Sequence, residues 1–134
     1  MNPGDALPEV NADTEPWWLA TRDRQLVLQR CQTCGHFQHY PRPLCLACRG
    51  TDLGFEPSAG LGTIYSFSIV HRSPDPGRWT APYVVALVDL DEGPRLFTSI
   101  VGCDPADVRC DLQVTVGWRP LSDGRHLPVF APLT

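Results

Sequence analysis

The chain contains no lysine: all eleven of its basic residues are arginines, scattered along 134 residues, and its net charge is -4. Nucleic-acid binding draws most of its affinity from neutralised phosphates, and the basic stripe such binding expects is missing. No apolar run approaches the ~20 residues of a membrane span. The opening MNPGDALPEVNADTEP has neither a basic start nor an apolar stretch, so no secretory leader is expected. A cytoplasmic setting is expected, and with it no disulfide framework. There is no G-x-S-x-G, no phosphate-cradling glycine loop and no H-E-x-x-H, and without a paired nucleophile and base or an open metal site a catalytic reading lacks its parts.

What the chain does have is four cysteines, Cys31, Cys34, Cys45 and Cys48, in the stretch CQTCGHFQHYPRPLCLAC. A short C-x-x-C turn aims two thiolates and several backbone N–H groups at one point, and a second such knuckle completes a four-sulfur shell. The expected group is one structural zinc. Iron in a rubredoxin-like site shares the all-thiolate geometry and stays open as an alternative. With all four positions filled by protein the ion is structural, and its binding free energy is folding free energy. His36 and His39, inside the same segment, are expected to face solvent or pack on the knuckles. Cys103 and Cys110 lack knuckle spacing and read as buried small hydrophobes. His71, beside Arg72 and near Asp75, reads as a solvated histidine of the longest loop.

Fourteen prolines and eleven glycines argue against long helices and for short strands joined by tight turns. The expected fold is mostly β: a short N-terminal helix, a rubredoxin-like zinc ribbon and a five-stranded barrel of the OB type. Residues 1–12 are expected to be flexible, 13–58 to form the helix and ribbon, and 59–134 the barrel. Asp13 or Thr14 can cap the helix, which carries PWWLATRDR. LVLQR, HFQHY and DLGFEP read as the ribbon strands. The barrel strands begin with Tyr65, Phe67 and Ile69 alternating against Ser66 and Ser68. YVVALVDL reads as a strand buried on both faces, DEG as a hairpin turn, and RLFTSIVG, QVTVGWRP and HLPVF follow, all antiparallel.

Trp17 and Trp18 point about 100° apart on so short a helix, so both cannot lie on one buried stripe. Either they cover the ribbon or barrel, or at least one anchors a partner protein, since tryptophans are frequent interface anchors.

The ribbon spacing, followed by G-T-I-Y-S-F, P-Y-V-V-A-L-V-D-L-D-E-G, a V-T-V strand and a final L-P-V-F, resembles the acyl-CoA-associated zinc-ribbon and OB-fold proteins filed as domain of unknown function 35. The resemblance runs from about Trp17 to Phe130. It implies Cys31, Cys34, Cys45 and Cys48 as metal ligands, and Gly62, Tyr65, Pro82, Tyr83, Gly93 and Gly102 as fold-determining positions. Two departures stand out: Tyr40-Pro41 where the family often has Pro-Pro, and Asp111 where a glycine usually precedes the V-x-V strand. Asp tolerates a left-handed backbone better than most residues. The resemblance further implies a non-catalytic subunit of a heteromeric complex that partners a thiolase, or an aldolase of the lipid-transfer-protein type acting on an acyl-CoA such as a steroid side-chain thioester. A partner hydratase of the hot-dog fold is the family's other arrangement. The default for a ribbon joined to an OB barrel is a single-stranded nucleic-acid module, which the acidic charge disfavours.

Overall fold

The computed structural model describes residues 7–133. Of the N-terminal stretch expected to be flexible, residues 1–6 lie outside the described residues, and 7–11 carry no regular structure. Asn11 then organises the start of α1 (Glu15–Arg22): its side-chain oxygen accepts from the N–H groups of Asp13 and Thr14, and its carbonyl from Glu15. Thr14 holds the N-cap position but makes no side-chain cap bond. Glu15 and Pro16 sit where the first turn tolerates them.

Three short strands form the ribbon sheet in the order β2–β1–β3: β1 (Val27–Cys31), β2 (Phe37–Gln38) and β3 (Leu53–Pro57). Five more close into a barrel: β4 (Leu61–Val70), β5 (Tyr83–Leu90), β6 (Arg95–Ile100), β7 (Gln113–Pro120) and β8 (His126–Pro132), in the order β4–β5–β6–β8–β7. The sequence reading made all five antiparallel, and the structure corrects this. A ring of five strands cannot alternate direction all the way round, so one neighbouring pair must run parallel. That pair is β6 with β8, joined at Ile100 opposite Phe130.

Ile64, Val84, Ala86, Val88, Leu96, Val114 and Phe130 fill the barrel. β5 is buried on one face and only half-buried on the other, and not on both as its continuous apolar run suggests. Its outward side chains line a cleft described below. Tyr65 also departs from the expected alternation. The register of β4 against β5 shifts between Ile64 and Ser66, so this bulge turns Tyr65 outward to 54% exposure, where the Arg95 guanidinium stacks on its ring at 3.5 Å.

Both tryptophans of α1 are buried, at 5% for Trp17 and 9% for Trp18, without sharing one helix stripe. The helix is wedged between the ribbon and the barrel and so buries two faces. Trp17 packs toward His39 of the ribbon arm, centroids 5.4 Å apart, while Trp18 lies under the Arg125 guanidinium at the start of β8. The two rings meet edge to face at 4.6 Å. Asp111, at the position where the resemblance leads one to expect glycine, has φ 68°.

Candidate metal centre and adjoining cleft

The two knuckles are built alike. In each, the residue four beyond the first cysteine returns its N–H to that cysteine's carbonyl: Gly35 to Cys31 at 2.9 Å and Arg49 to Cys45 at 2.8 Å. Gly35 and Arg49 share a left-handed backbone, φ 79° and 64°. This turn aims backbone N–H groups at sulfur. Cys34 donates to Cys31 Sγ at 3.5 Å, Ala47 and Cys48 to Cys45 Sγ at 3.3 and 3.5 Å, and Gly50 to Cys48 Sγ at 3.4 Å.

All four sulfurs lie within 4.8 Å of one another, and the pairs Cys31–Cys48 and Cys34–Cys45 approach to 3.6 Å. A regular tetrahedron with Zn–S bonds of ~2.3 Å has sulfur–sulfur edges of ~3.8 Å. The donor set therefore fits a single ion with no position left open. Cys31 and Cys45 are buried, whereas Cys34 and Cys48 face solvent.

The electrostatics favour thiolates at the inner pair. The Cys34 N–H, aided by that of Thr33, pulls the Cys31 thiol down to about 6; the Cys48 N–H likewise lowers Cys45. At Cys34 the N–H of His36 lowers the pKa, but desolvation and the neighbouring sulfurs of Cys45, Cys48 and Cys31 outweigh it and push the thiol up to about 12. Four negative sulfurs this close repel one another, and a divalent cation at their centre removes that repulsion.

Between the knuckles the arm 39–44 is fixed by two buried glutamines, Gln29 of β1 and Gln38 of β2. Gln29 accepts from the Arg42 N–H and donates to the Arg42 carbonyl; Gln38 donates to the Leu44 carbonyl and accepts from the Leu46 N–H. The arm places His39 and Tyr40 against α1. His39 was expected to face solvent or pack on the knuckles, but it packs between Trp17 and Tyr40 instead, and burial pushes its pKa down to about 4. His36 is exposed, as is His71.

His39 and Tyr40 form one wall of a cleft of about 540 Å³ running between the helix and arm on one side and the outer face of β5, β6 and β8 on the other. Trp17, Trp18, Trp79, Tyr83 and Phe97 complete its aromatic lining. Tyr40 and Phe97 are 57% and 66% exposed at its rim. Exposed rings gathered round one cleft mark an interaction surface more often than scattered ones do. Beside His39, two buried polar atoms, His39 Nδ1 and Trp17 Nε1, have no hydrogen-bond partner.

Residues 18–54 match the model of the ChsH2 rubredoxin-like zinc ribbon domain, and residues 55–119 that of the ChsH2 C-terminal OB-fold domain. A DUF35 domain-containing scaffold protein of Methanocaldococcus jannaschii is 34% identical over 108 residues, 79% of this chain and 77% of that protein. The chain belongs to the DUF35 family. Within solved structures the DUF35 chain is similar to one described as "Ltp2-ChsH2(DUF35) aldolase", with a TM-score of 0.87 and 39% identity, over 94% of this chain and 98% of that one. It is also 39% identical over 125 residues, 93% of its length, to a probable enoyl-CoA hydratase alpha subunit of Thermomonospora curvata. It spans 39% of that relative's length. As a zinc-ribbon protein whose four cysteines converge, the DUF35 chain carries one structural zinc.

The cysteines singled out by spacing are thus brought together, and Trp17 and Trp18, both nearly fully buried, line the cleft floor. The expectation of two buried downstream cysteines is corrected. Cys103 is half-buried against the core, but Cys110 is exposed, because it lies in the turn that leads into β7. Sequence reasoning missed His39, Tyr40 and Phe97 as cleft residues. Phe97 alternates with buried Leu96 and Thr98, which places it on the outer face of the sheet.

Proposed function

We propose that this chain is a non-catalytic accessory subunit that binds a thiolase-fold aldolase or thiolase and supports its action on an acyl-CoA thioester. The observation that carries the reading is the likeness, across nearly the whole of both chains, to a chain of the Ltp2-ChsH2(DUF35) aldolase structure. The scaffold description of the archaeal relative points the same way. In this reading Cys31, Cys34, Cys45 and Cys48 are the zinc ligands. They close the coordination shell, so the ion has no position for substrate and serves to hold the ribbon together. The helix and ribbon, 13–58, and the barrel, 59–134, act as two units clamped by α1. The partner docks on the aromatic cleft, with Tyr40 and Phe97 as exposed anchors and Trp17 and Trp18 supporting them from below. A steroid side-chain CoA ester is the narrowest substrate within the reading, and the family resemblance supports it.

A second reading is favoured by the probable hydratase alpha subunit of Thermomonospora curvata. It makes the partner an enoyl-CoA hydratase of the hot-dog fold. Reconstitution separates the two. The thiolase-fold enzyme of the same host is assayed for acyl-CoA cleavage with and without this chain. Activity or solubility that depends on the chain supports the first reading; full activity without it overturns that reading, and dependence of a hydratase instead supports the second.

A further inference from the structure

A second, polar hollow of about 130 Å³ is lined by Gly77, Arg78, Arg119 and Ser122 among others. Arg119 is held there by two contacts. Its guanidinium stacks on the Trp79 ring at 3.8 Å, and it donates a hydrogen bond to the Arg78 carbonyl. Trp79 is itself stacked on Tyr83 of β5 at 5.5 Å. The loop carrying Arg78 is turned by the Asp75 carbonyl, which accepts from the N–H groups of both Arg78 and Trp79. The two arginines are therefore set on a common wall by strand β7 and by an aromatic stack.

Arg30, Arg95 and Arg125 each pair with a carboxylate, of Glu56, Asp89 and Asp123 respectively. Among the described residues Arg78 and Arg119 form no ion pair, and Asp75 of the same loop pairs with neither. Desolvation by burial, and after it the nearby charge of Arg78, lowers the Arg119 pKa. The group that relieves this arrangement is an anion with oxygens enough for two planar guanidinium forks.

We infer that Arg78 and Arg119, with Ser122 at the rim, form a binding site for a phosphate-class anion, for which diphosphate, with one phosphoryl group for each guanidinium fork, is the probe. The site is independent of the partner-subunit reading and stands or falls on this chain alone. The test is calorimetric titration of the full-length, zinc-loaded chain with inorganic diphosphate at low salt, with tryptophan fluorescence as a second readout, since Trp79 forms the stack beneath Arg119. Binding with a Kd of about 1 mM or tighter is expected, weakened about tenfold or more by Arg119→Gln and by Arg78→Gln. Arg78→Gln leaves the Trp79 stack untouched, and so separates lost binding from lost packing. Arg109→Gln, an exposed arginine that does not line the hollow, is expected to bind as wild type does, and Trp79→Phe to lose the fluorescence change. A parallel titration with adenosine diphosphate identifies the source of the anion: tighter binding than inorganic diphosphate points to a nucleotide, and equal binding to free phosphates. Absence of binding, or equal weakening by all three arginine substitutions, overturns the proposal.

Discussion

Gln38 Nε2 donates to Gln29 Oε1 across 2.7 Å, and this contact couples the two strands that carry the first cysteine knuckle to the arm that leads to the second. Both side chains are almost completely buried, and between them they satisfy backbone groups of Arg42, Leu44 and Leu46. The arm has no strand partner of its own, so these bonds stand in for a sheet ladder.

Gln29→Leu keeps the apolar volume but leaves the Arg42 N–H, the Arg42 carbonyl and the Gln38 amide without their partner. Buried polar groups left unpaired cost about 1 to 3 kcal/mol each when water cannot reach them. A loss of about 2 to 3 kcal/mol is expected in urea unfolding of the zinc-loaded chain. A change below about 0.5 kcal/mol, the size of an ordinary surface substitution, would mean that the arm is held by something else.

Removing a sulfur ligand acts on the metal and the fold together. Cys45→Ser, at a fully buried position, is expected to abolish zinc retention and unfold the ribbon, since structural zinc supplies on the order of 10 kcal/mol in isolated fingers. The barrel has its own core and should keep its strand circular dichroism. Metal analysis of the wild-type chain should return one zinc per chain and a colourless protein. A coloured, iron-loaded protein would move the centre to the rubredoxin class.

Gly62 and Gly117 both lie in barrel strands but differ in what a methyl group would meet. At Gly62 an added Cβ would come within 2.6 Å of Val88 Cγ1 and 2.7 Å of the Asp89 carbonyl oxygen; at Gly117 the nearest atom is Val129 Cγ2 at 3.8 Å. The backbone of β5 cannot give way as a side-chain tip can. Gly62→Ala is expected to cost about 1 to 3 kcal/mol, and Gly117→Ala to be close to neutral, both by thermal unfolding. Equal effects would contradict the close approach of β4 and β5.

His39 sets a pH window. Burial holds its pKa at about 4 in the folded chain, below the ~6.5 of an unfolded histidine. The folded state therefore prefers the neutral ring: its stabilisation is fully present above about pH 6.5 and is lost as the pH falls to about 4. Removing the charge while keeping a ring, as in His39→Phe, should flatten the stability profile over that window relative to wild type. The comparison between the two proteins cancels any zinc loss in acid, because the ligands are the same. Parallel profiles would show that the ring titrates freely in the native state.

The ribbon and barrel were legible because their signals are local. Cysteine spacing marked the knuckles, and apolar runs with turn residues between them marked the five barrel strands. Asp111 was anticipated in its left-handed turn. Arg49 takes the same conformation at the second knuckle and was not, since arginine carries no such signal and only the symmetry with Gly35 reveals it. The parallel pair β6–β8 follows from the parity of a closed ring, which no single strand displays. The burial of both tryptophans depends on α1 having a body on each side, and the cleft depends on the arm 39–44 being pinned by Gln29 and Gln38. These are relationships between segments distant in the chain, invisible to periodicity.

The central claim is that this chain is the partner subunit of a thiolase-fold enzyme, docked through its aromatic cleft. Native mass spectrometry of the tagged chain, purified from its own host as wild type and as Phe97→Asp, tests it most directly. Phe97 is 66% exposed, so the substitution should leave the fold intact. The account predicts a heteromeric complex of the wild-type chain with a thiolase-fold subunit, with one zinc for each copy of this chain, and its loss in the variant. A chain that runs alone, or that captures nucleic acid in place of an enzyme, would contradict it.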